Sequence, residues 1–282
     1  MTSLFLLAFL YGIVTQSFGW FPSALLQSAW NQAEAVSPFS TDALSRQPPQ
    51  WSARRVYERS GVAIPRPDRV QPGLTLIASA WRHSNGWSPG LRLIDQEGRV
   101  LHEWQVRPKE IFEDTTVSPR GPLDKQDIQG VYLFPGGDVL VNVEYVGAVR
   151  LDACGRTVWR NSRMNFHHSV ARDSDGSFWL PGVRRDVEAR SDAYPDGYPG
   201  LDGPIHRSLI VKLSSEGEVI DTINVLDVLY RSGLHRYIPQ AMLDRYEARP
   251  YGKDIVHMND IEPLPDSMAS DYPLFESGDL LV

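Results

Sequence analysis

One turn recurs along the chain, and it constrains the fold more than any other feature. At residues 91–101, 149–159 and 210–220 an apolar, alternating strand runs into Asp95, Asp152 or Ser214, and Gly98, Gly155 or Gly217 follows three positions later. A second alternating strand then begins. A short side chain that bonds its own backbone, followed by a residue tolerant of positive φ, is what a tight hairpin requires. The turn glycines lie 57 and 62 residues apart. A second hairpin pattern precedes two of these units, at 131–141 around Pro135, Gly136 and Gly137 and at 169–180 around Asp173 and Gly176, and it returns with a longer loop at 261–282. Each unit therefore holds two consecutive hairpins.

Four-stranded antiparallel sheets repeated along a chain are β-propeller blades. The fold class expected is all-β, a propeller of which about three to four blades are present. The periods exceed the roughly 40–50 residues typical of such repeats, so loops must be inserted. The turn-rich stretch 192–204 and a helical excursion at 226–248 supply them. A sandwich of unrelated hairpins would explain the alternation but not the recurring turn chemistry. The last residues, from Gly278 to Val282, read as a turn and the start of an apolar strand. The expectation is that the natural chain continues, since three blades and a start fall short of the smallest common ring and would leave open sheet edges.

The segment ahead of the repeats has a different character. Residues 3–14 are apolar and uncharged, and Glu34 is the first charged residue. Such a run lies between a secretory apolar core of about 7–15 residues and a bilayer span of about 20. Three readings stay open: an uncleaved anchor, a cleaved signal, or a buried helix. The first two place the body outside the cytoplasm, on a periplasmic or extracellular face. The organisation read from the chain is a signal or anchor helix over 1–30, a Pro-rich stem over 31–72 and a partial propeller over 73–282.

Composition removes some functions. The net charge is −7 and no basic stripe is present, which argues against nucleic acid as a partner. The single cysteine, Cys154, sits in a turn. It cannot form an intramolecular disulfide, and thiolate zinc sites need several cysteines.

Seven histidines remain as chemistry. His102 reads as a strand residue, and His83, His206 and His235 read as loop or helical positions exposed to solvent. His167-His168 and His257 differ, because both stretches lie at the start of a blade's first strand. Aligning Val170 with Ile261 gives His168, His257 and Asn259 one parity and His167 the other, and residues two apart on a strand share a face. First strands surround a propeller's axis. Imidazoles and an amide converging there suit an anionic substrate, since imidazole serves as nucleophile, general acid or donor to developing negative charge. The alternative is that they are satisfied polar residues capping the inner strands.

The runs 130–142 (Gly-Val-Tyr-Leu-Phe-Pro-Gly-Gly-Asp-Val-Leu-Val-Asn) and 147–155, then His167-His168-Ser169, then His257-Met258-Asn259-Asp260-Ile261, together resemble the arylsulfotransferase family. Residues 91–104 and the apolar N-terminal stretch are similar to its membrane-anchored members. The resemblance implies a six-bladed propeller whose axial pocket moves a sulfuryl group from a phenolic sulfate to another phenol through a sulfohistidine, with no cofactor and no metal. It implies His257 and His168 as catalytic residues, with His167, Asn259 and Asp260 lining the substrate. It also implies an arginine beyond Val282 and a nucleophilic histidine in a later blade. The partners implied are a phenolic sulfate and a phenol acceptor, with the membrane engaged through the N-terminal helix. Two rivals remain. One is a non-catalytic propeller that binds a ligand or partner at the cell surface. The other is a Ca²⁺-dependent hydrolase propeller using Asp260, Asn259 and Glu262.

Overall fold

The structure is a computed structural model and describes residues 61–83, 86–115, 126–238 and 254–282, together with Leu6, Phe9, Tyr11 and Leu123. The chain divides into two compact units, 1–59 with 84–87 and 60–83 with 88–282. In the first unit Leu6, Phe9 and Tyr11 are helical and exposed. The rest of the expected anchor, the stem up to residue 60 and most of the excursion after residue 238 lie outside the described residues. Among the described residues no helix is long and apolar enough to cross a membrane.

Among the described residues the second unit is mostly β-sheet, with few helices and no closed barrel. Strands β1 (Thr75–His83), β2 (Gly86–Ile94) and β3 (Val100–Gln105) form a three-stranded sheet in chain order. A four-stranded sheet follows, again in chain order: β4 (Ile128–Leu133), β5 (Val139–Val143), β6 (Gly147–Leu151) and β7 (Thr157–Asn161). In the third sheet β12 (Val219–Asn224), β11 (Pro204–Leu213) and β10 (Phe178–Glu188) are neighbours, and two short strands, β8 (Asn165–Phe166) and β9 (Ala171–Arg172), share the free edge of β10. A last pair, β13 (Glu262–Pro263) and β14 (Leu280–Leu281), lies at the C-terminal end. Every hairpin read from the sequence is present.

The recurring glycines do what the turn chemistry requires. In the outer turns the N–H of Gly98, Gly155 and Gly217 donates to the carbonyl of Asp95, Asp152 and Ser214 at 2.9–3.0 Å. Each glycine has a φ between 77° and 83°, the left-handed conformation that closes a type I turn with a bulge. Gly217 has a second reason to be glycine, since a Cβ there would stand 2.4 Å from the Trp159 ring.

Successive sheets pack face to face. Alternation along β5 sends Val139, Val141 and Val143 toward Leu91, Trp104 and Val106 of the first sheet and its following helix α1 (Pro108–Ile111). Leu140 faces the other way, against Phe166, Phe178, Leu180 and Val211 of the third sheet. All five residues of β5 are thus buried, as a strand covered on both faces must be. Hydrogen bonds repeat this order. Trp104 Nε1 donates to the Asp152 carbonyl at 3.2 Å and Trp159 Nε1 to the Ser215 carbonyl at 2.9 Å, so an outer-strand indole of each sheet bonds the outer turn of the next.

Two histidine assignments need correction. His83 ends β1 and His206 lies within β11, both half-buried, rather than in exposed loops. The hydrogen-bonded ladders extend further into polar sequence than alternation suggested. His83 Nδ1 lies 3.1 Å from Glu103 Oε1. The Asp- and Gly-rich loop after β10 packs Tyr198 and Leu201 against Leu226 of helix α2 (Val225–Arg231). Asn224 caps that helix, its Oδ1 accepting the Leu226 N–H at 3.2 Å.

Candidate functional site

The first strand of the third sheet is broken where the two histidines fall. Phe166 pairs with Gly182 and Ala171 with Trp179. Four residues, 167–170, therefore stand opposite two, 180 and 181, and the chain bulges by two residues. Bulges re-aim side chains and recur next to functional sites. His168 takes a φ of 55°, a conformation uncommon outside glycine.

The neighbouring sheet holds this distortion in place. The His168 N–H donates to Gln129 Oε1 at 2.6 Å, and its carbonyl accepts from Asn142 Nδ2 at 2.9 Å. Asn142 is fully buried. Between the two, Gly130 lets the backbones approach: a Cβ on it would lie 2.4 Å from the His168 oxygen and 2.7 Å from the Ser169 carbonyl carbon. Only glycine fits there without a shift.

His257 arrives from an irregular segment, residues 254–261, that runs past the third sheet. Ile255, Met258 and Ile261 are buried, while His257 and Asn259 are exposed. Ser208 Oγ donates to the Val256 carbonyl. The Ile261 N–H donates to Ser169 Oγ at 3.3 Å, which ties the second histidine segment to the bulge of the first.

The two imidazoles meet. His168 Nε2 is 3.2 Å from His257 Nε2, between residues 89 apart in sequence. His257 Nδ1 lies 2.7 Å from Asp254 Oδ2, and the Asp254 side chain is only 13% exposed. An ionised carboxylate only accepts, so Nδ1 carries the proton and Nε2 of the neutral His257 ring presents a lone pair. The proton between the two Nε2 atoms then belongs to His168. His167 lies behind them, buried, its ring centroid 5.0 Å from that of His168, 6.1 Å from that of His257 and 5.4 Å from that of Tyr145. Asn259 and Asp260 are exposed on the same segment as His257, and Asp260 Oδ1 accepts the N–H of Ile261 at 3.0 Å.

Parity alone does not account for this meeting, because neither segment is a regular strand at the histidines. The bulge turns His168, and the His257 segment forms no ladder before Glu262. Asp254 was not singled out in the sequence, although a carboxylate three residues before a histidine was a usable signal. Gln129, Gly130 and Asn142 act through contacts from another sheet and left no signal of their own.

Two imidazoles this close can both aim N–H groups at one anionic oxygen lying against their Nε2 atoms. The arrangement is a pair of facing imidazoles in which Asp254 fixes one ring. Among the described residues no group of three or more His, Cys, Asp or Glu side chains converges as metal ligands do. The Asp173–Gly176 turn holds a lysine where a cation would sit, with Lys212 Nζ 2.8 Å from Asp173 Oδ2 and 2.9 Å from Asp175 Oδ2.

Stacked antiparallel sheets with imidazoles converging from two successive first-strand segments define a propeller-like protein with a histidine site. The sequence model of the arylsulfotransferase (ASST) family matches residues 130–282, more than half of the chain and all of the residues just described from Gly130 onward. The chain belongs to that family. No curated sequence relative is found. Among solved structures, the chain is similar to a protein of unknown function from Bacteroides caccae, determined at 1.35 Å resolution, with 12% identity and a TM-score of 0.28. The likeness covers 55% of this chain and 58% of that one.

Proposed function

We propose that His168 and His257 hold the sulfuryl oxygens of a phenolic sulfate ester, in a protein that transfers the group to a phenol. In the net reaction one S–O bond breaks and another forms, and the acceptor phenol's proton ends on the released phenol. Nothing is oxidised or reduced. Charge builds on the leaving phenolate oxygen and redistributes over the sulfuryl oxygens, so fixed donors aimed at those oxygens lower the barrier. His168 donates from Nε2. Asp254, by accepting from Nδ1, keeps His257 oriented and stabilises it when it takes a proton at Nε2 to become the second donor. Asn259 and Asp260, exposed beside His257, border this pair on the substrate side, and the buried His167 backs it. The sulfohistidine route belongs to the same reading, with its nucleophile on a further first strand of a six-bladed ring, outside the pair described.

The observation that carries the reading is the 3.2 Å meeting of two imidazoles from separate sheet-edge segments, one of them backed by a carboxylate at 2.7 Å. Family membership supplies the reaction class. The apolar run at residues 3–14 supports placing the body outside the cytoplasm. In the natural full-length protein, release of phenol from an aryl sulfate should depend on an acceptor phenol, and His257→Ala should remove most of it. Equal turnover by wild type and variant would show that the site is elsewhere.

A further inference from the structure

Apart from the histidine pair, the unit carries a cleft of about 830 Å³ at the far end of the β10–β11 hairpin, lined by Arg184, Arg190 and Arg207 with Asn224, Asp192 and Asp227. Arg184 and Arg207 are directly opposed Cα partners in the antiparallel ladder, so their side chains leave the same face. Like charges directly opposite each other destabilise a strand pair. In a chain of net charge −7 such a pair calls for a counter-charge. Among the described residues neither Arg184 nor Arg207 has a carboxylate within ion-pair distance, although two carboxylates line the cleft.

Those carboxylates are directed elsewhere or stand off. Asp227 Oδ1 accepts from Ser191 Oγ and from the Tyr198 hydroxyl, both at 2.6 Å. Burial, together with this bond, pushes the Tyr198 hydroxyl up to about 12, so it remains a donor. Asp192 is exposed. Arg190 Nε already pairs with Glu188 Oε2 at 2.5 Å. Arg207 donates Nη2 to the Arg190 carbonyl at 2.6 Å, yet among the described residues its buried Nε has no partner. A buried donor left unmade is costly. Asn224 Nδ2 gives one bond to the Tyr198 hydroxyl at 2.9 Å and keeps a second proton.

We infer that this cleft is a second oxyanion site, which takes a sulfate or phosphate group, free or as an ester, between the Arg184 and Arg207 guanidiniums. Guanidinium forks match the paired oxygens of such groups bidentately. A tetrahedral dianion would satisfy the Arg207 Nε and neutralise the opposed pair in one step. The inference is independent of the role given to His168 and His257.

The test is calorimetric titration of the full-length protein with sodium sulfate, sodium phosphate and phenyl sulfate against sodium chloride of equal ionic strength. In the His257→Ala background, where the histidine pair no longer contributes, the oxyanion should still bind, and adding Arg184→Gln or Arg207→Gln should weaken that binding about tenfold to a hundredfold, as loss of a charge-assisted bond implies. Binding of inorganic ions supports a free-ion site, and binding of phenyl sulfate alone supports an ester headgroup. Binding in the His257→Ala background that survives both arginine substitutions, or that is absent from that background altogether, overturns the proposal, as does the absence of any heat above chloride. Melting curves give a second readout. Without sulfate Arg184→Gln should melt no lower than wild type, because a like-charge repulsion is relieved. A variant that melts well below wild type in chloride would show instead that Arg184 is structural.

Discussion

Gly130→Ala tests the linkage between the second sheet and the histidine bulge. The added Cβ would lie 2.4 Å from the His168 oxygen, 2.7 Å from the Ser169 carbonyl carbon and 2.9 Å from Val170 Cγ2. Two of these atoms are backbone, so no side-chain rotation relieves them. Restoring ordinary separation moves the strand or the bulge by roughly 0.6–1 Å, and overpacking of this kind costs about 1–3 kcal/mol. For a folded unit of this size that lowers the thermal midpoint by about 2–4 °C per kcal/mol. The same movement pulls on both hydrogen bonds that hold His168, from its N–H to Gln129 at 2.6 Å and from Asn142 to its carbonyl at 2.9 Å. A displacement near 1 Å at a reacting centre can cost about a hundredfold in rate. Gly217→Ala is the control. It meets Trp159 at 2.4 Å in an outer turn and requires a φ of +83°, so it should destabilise comparably without touching the histidines. The assays are melting by circular dichroism and aryl sulfate turnover at a temperature where all three proteins are folded. Gly130→Ala should lose turnover well beyond Gly217→Ala at similar stability. If the two variants keep equal turnover, or if Gly130→Ala melts like wild type, the bulge is not held as described.

Asp254→Asn should lower aryl sulfate turnover by about tenfold to a hundredfold, the loss expected for one charge-assisted hydrogen bond, while the melting temperature changes little. A variant as active as wild type would show that His257 needs no orienting partner. The Lys212 cluster predicts acid sensitivity of known sign. Hydrogen bonds from Ser177 and then Lys212 hold Asp175 at about 2. Burial would raise Asp173, but hydrogen bonds from Lys212 and Trp179 outweigh it and leave its carboxyl below the usual range. Folded values below the unfolded ones mean a stabilisation that is complete above about pH 4 and lost as pH falls toward 2. The stability advantage of wild type over Asp175→Asn, followed by thermal melts, should shrink across that window. An advantage undiminished at pH 2 would contradict the pairing.

The hairpins were legible because their signals are local. An Asp or Ser followed by glycine at a fixed offset specifies a turn whatever it packs against, and alternation then names the face of each strand. Val139, Leu140 and Val141 could be read as strand from sequence, but their division between two neighbouring sheets could not. The site was legible as a pair of histidines and not as a geometry. Alternation along two regular strands would have aligned His168, His257 and Asn259. The rings of His168 and His257 meet instead through a two-residue bulge and an irregular segment, both fixed by partners in other elements. Gln129 and Asn142 look like ordinary strand polars in sequence, and only their long-range bonds give them a role. His83 and His206 were misplaced for a related reason, since polar residues at the ends of long strands mask a ladder that depends on its neighbours.

Positive φ distinguishes residues placed for folding from those placed for another purpose. Among the described residues nearly every left-handed position is glycine, as a turn or close approach demands, and the exceptions are Tyr145 and His168. For an ordinary residue that conformation costs roughly 1–2 kcal/mol. Both exceptions lie at the imidazole cluster: the Tyr145 N–H donates to the Phe166 carbonyl at 2.7 Å, one residue before His167. Glycine would suit the backbone better at each position, so what retains Tyr145 and His168 is the side chain. Strain kept where the surroundings over-determine it is the mark of a site built for something other than stability. In this chain the strain falls on the histidine that faces His257. The local energetics and the chemistry thus converge on the same few residues from independent directions.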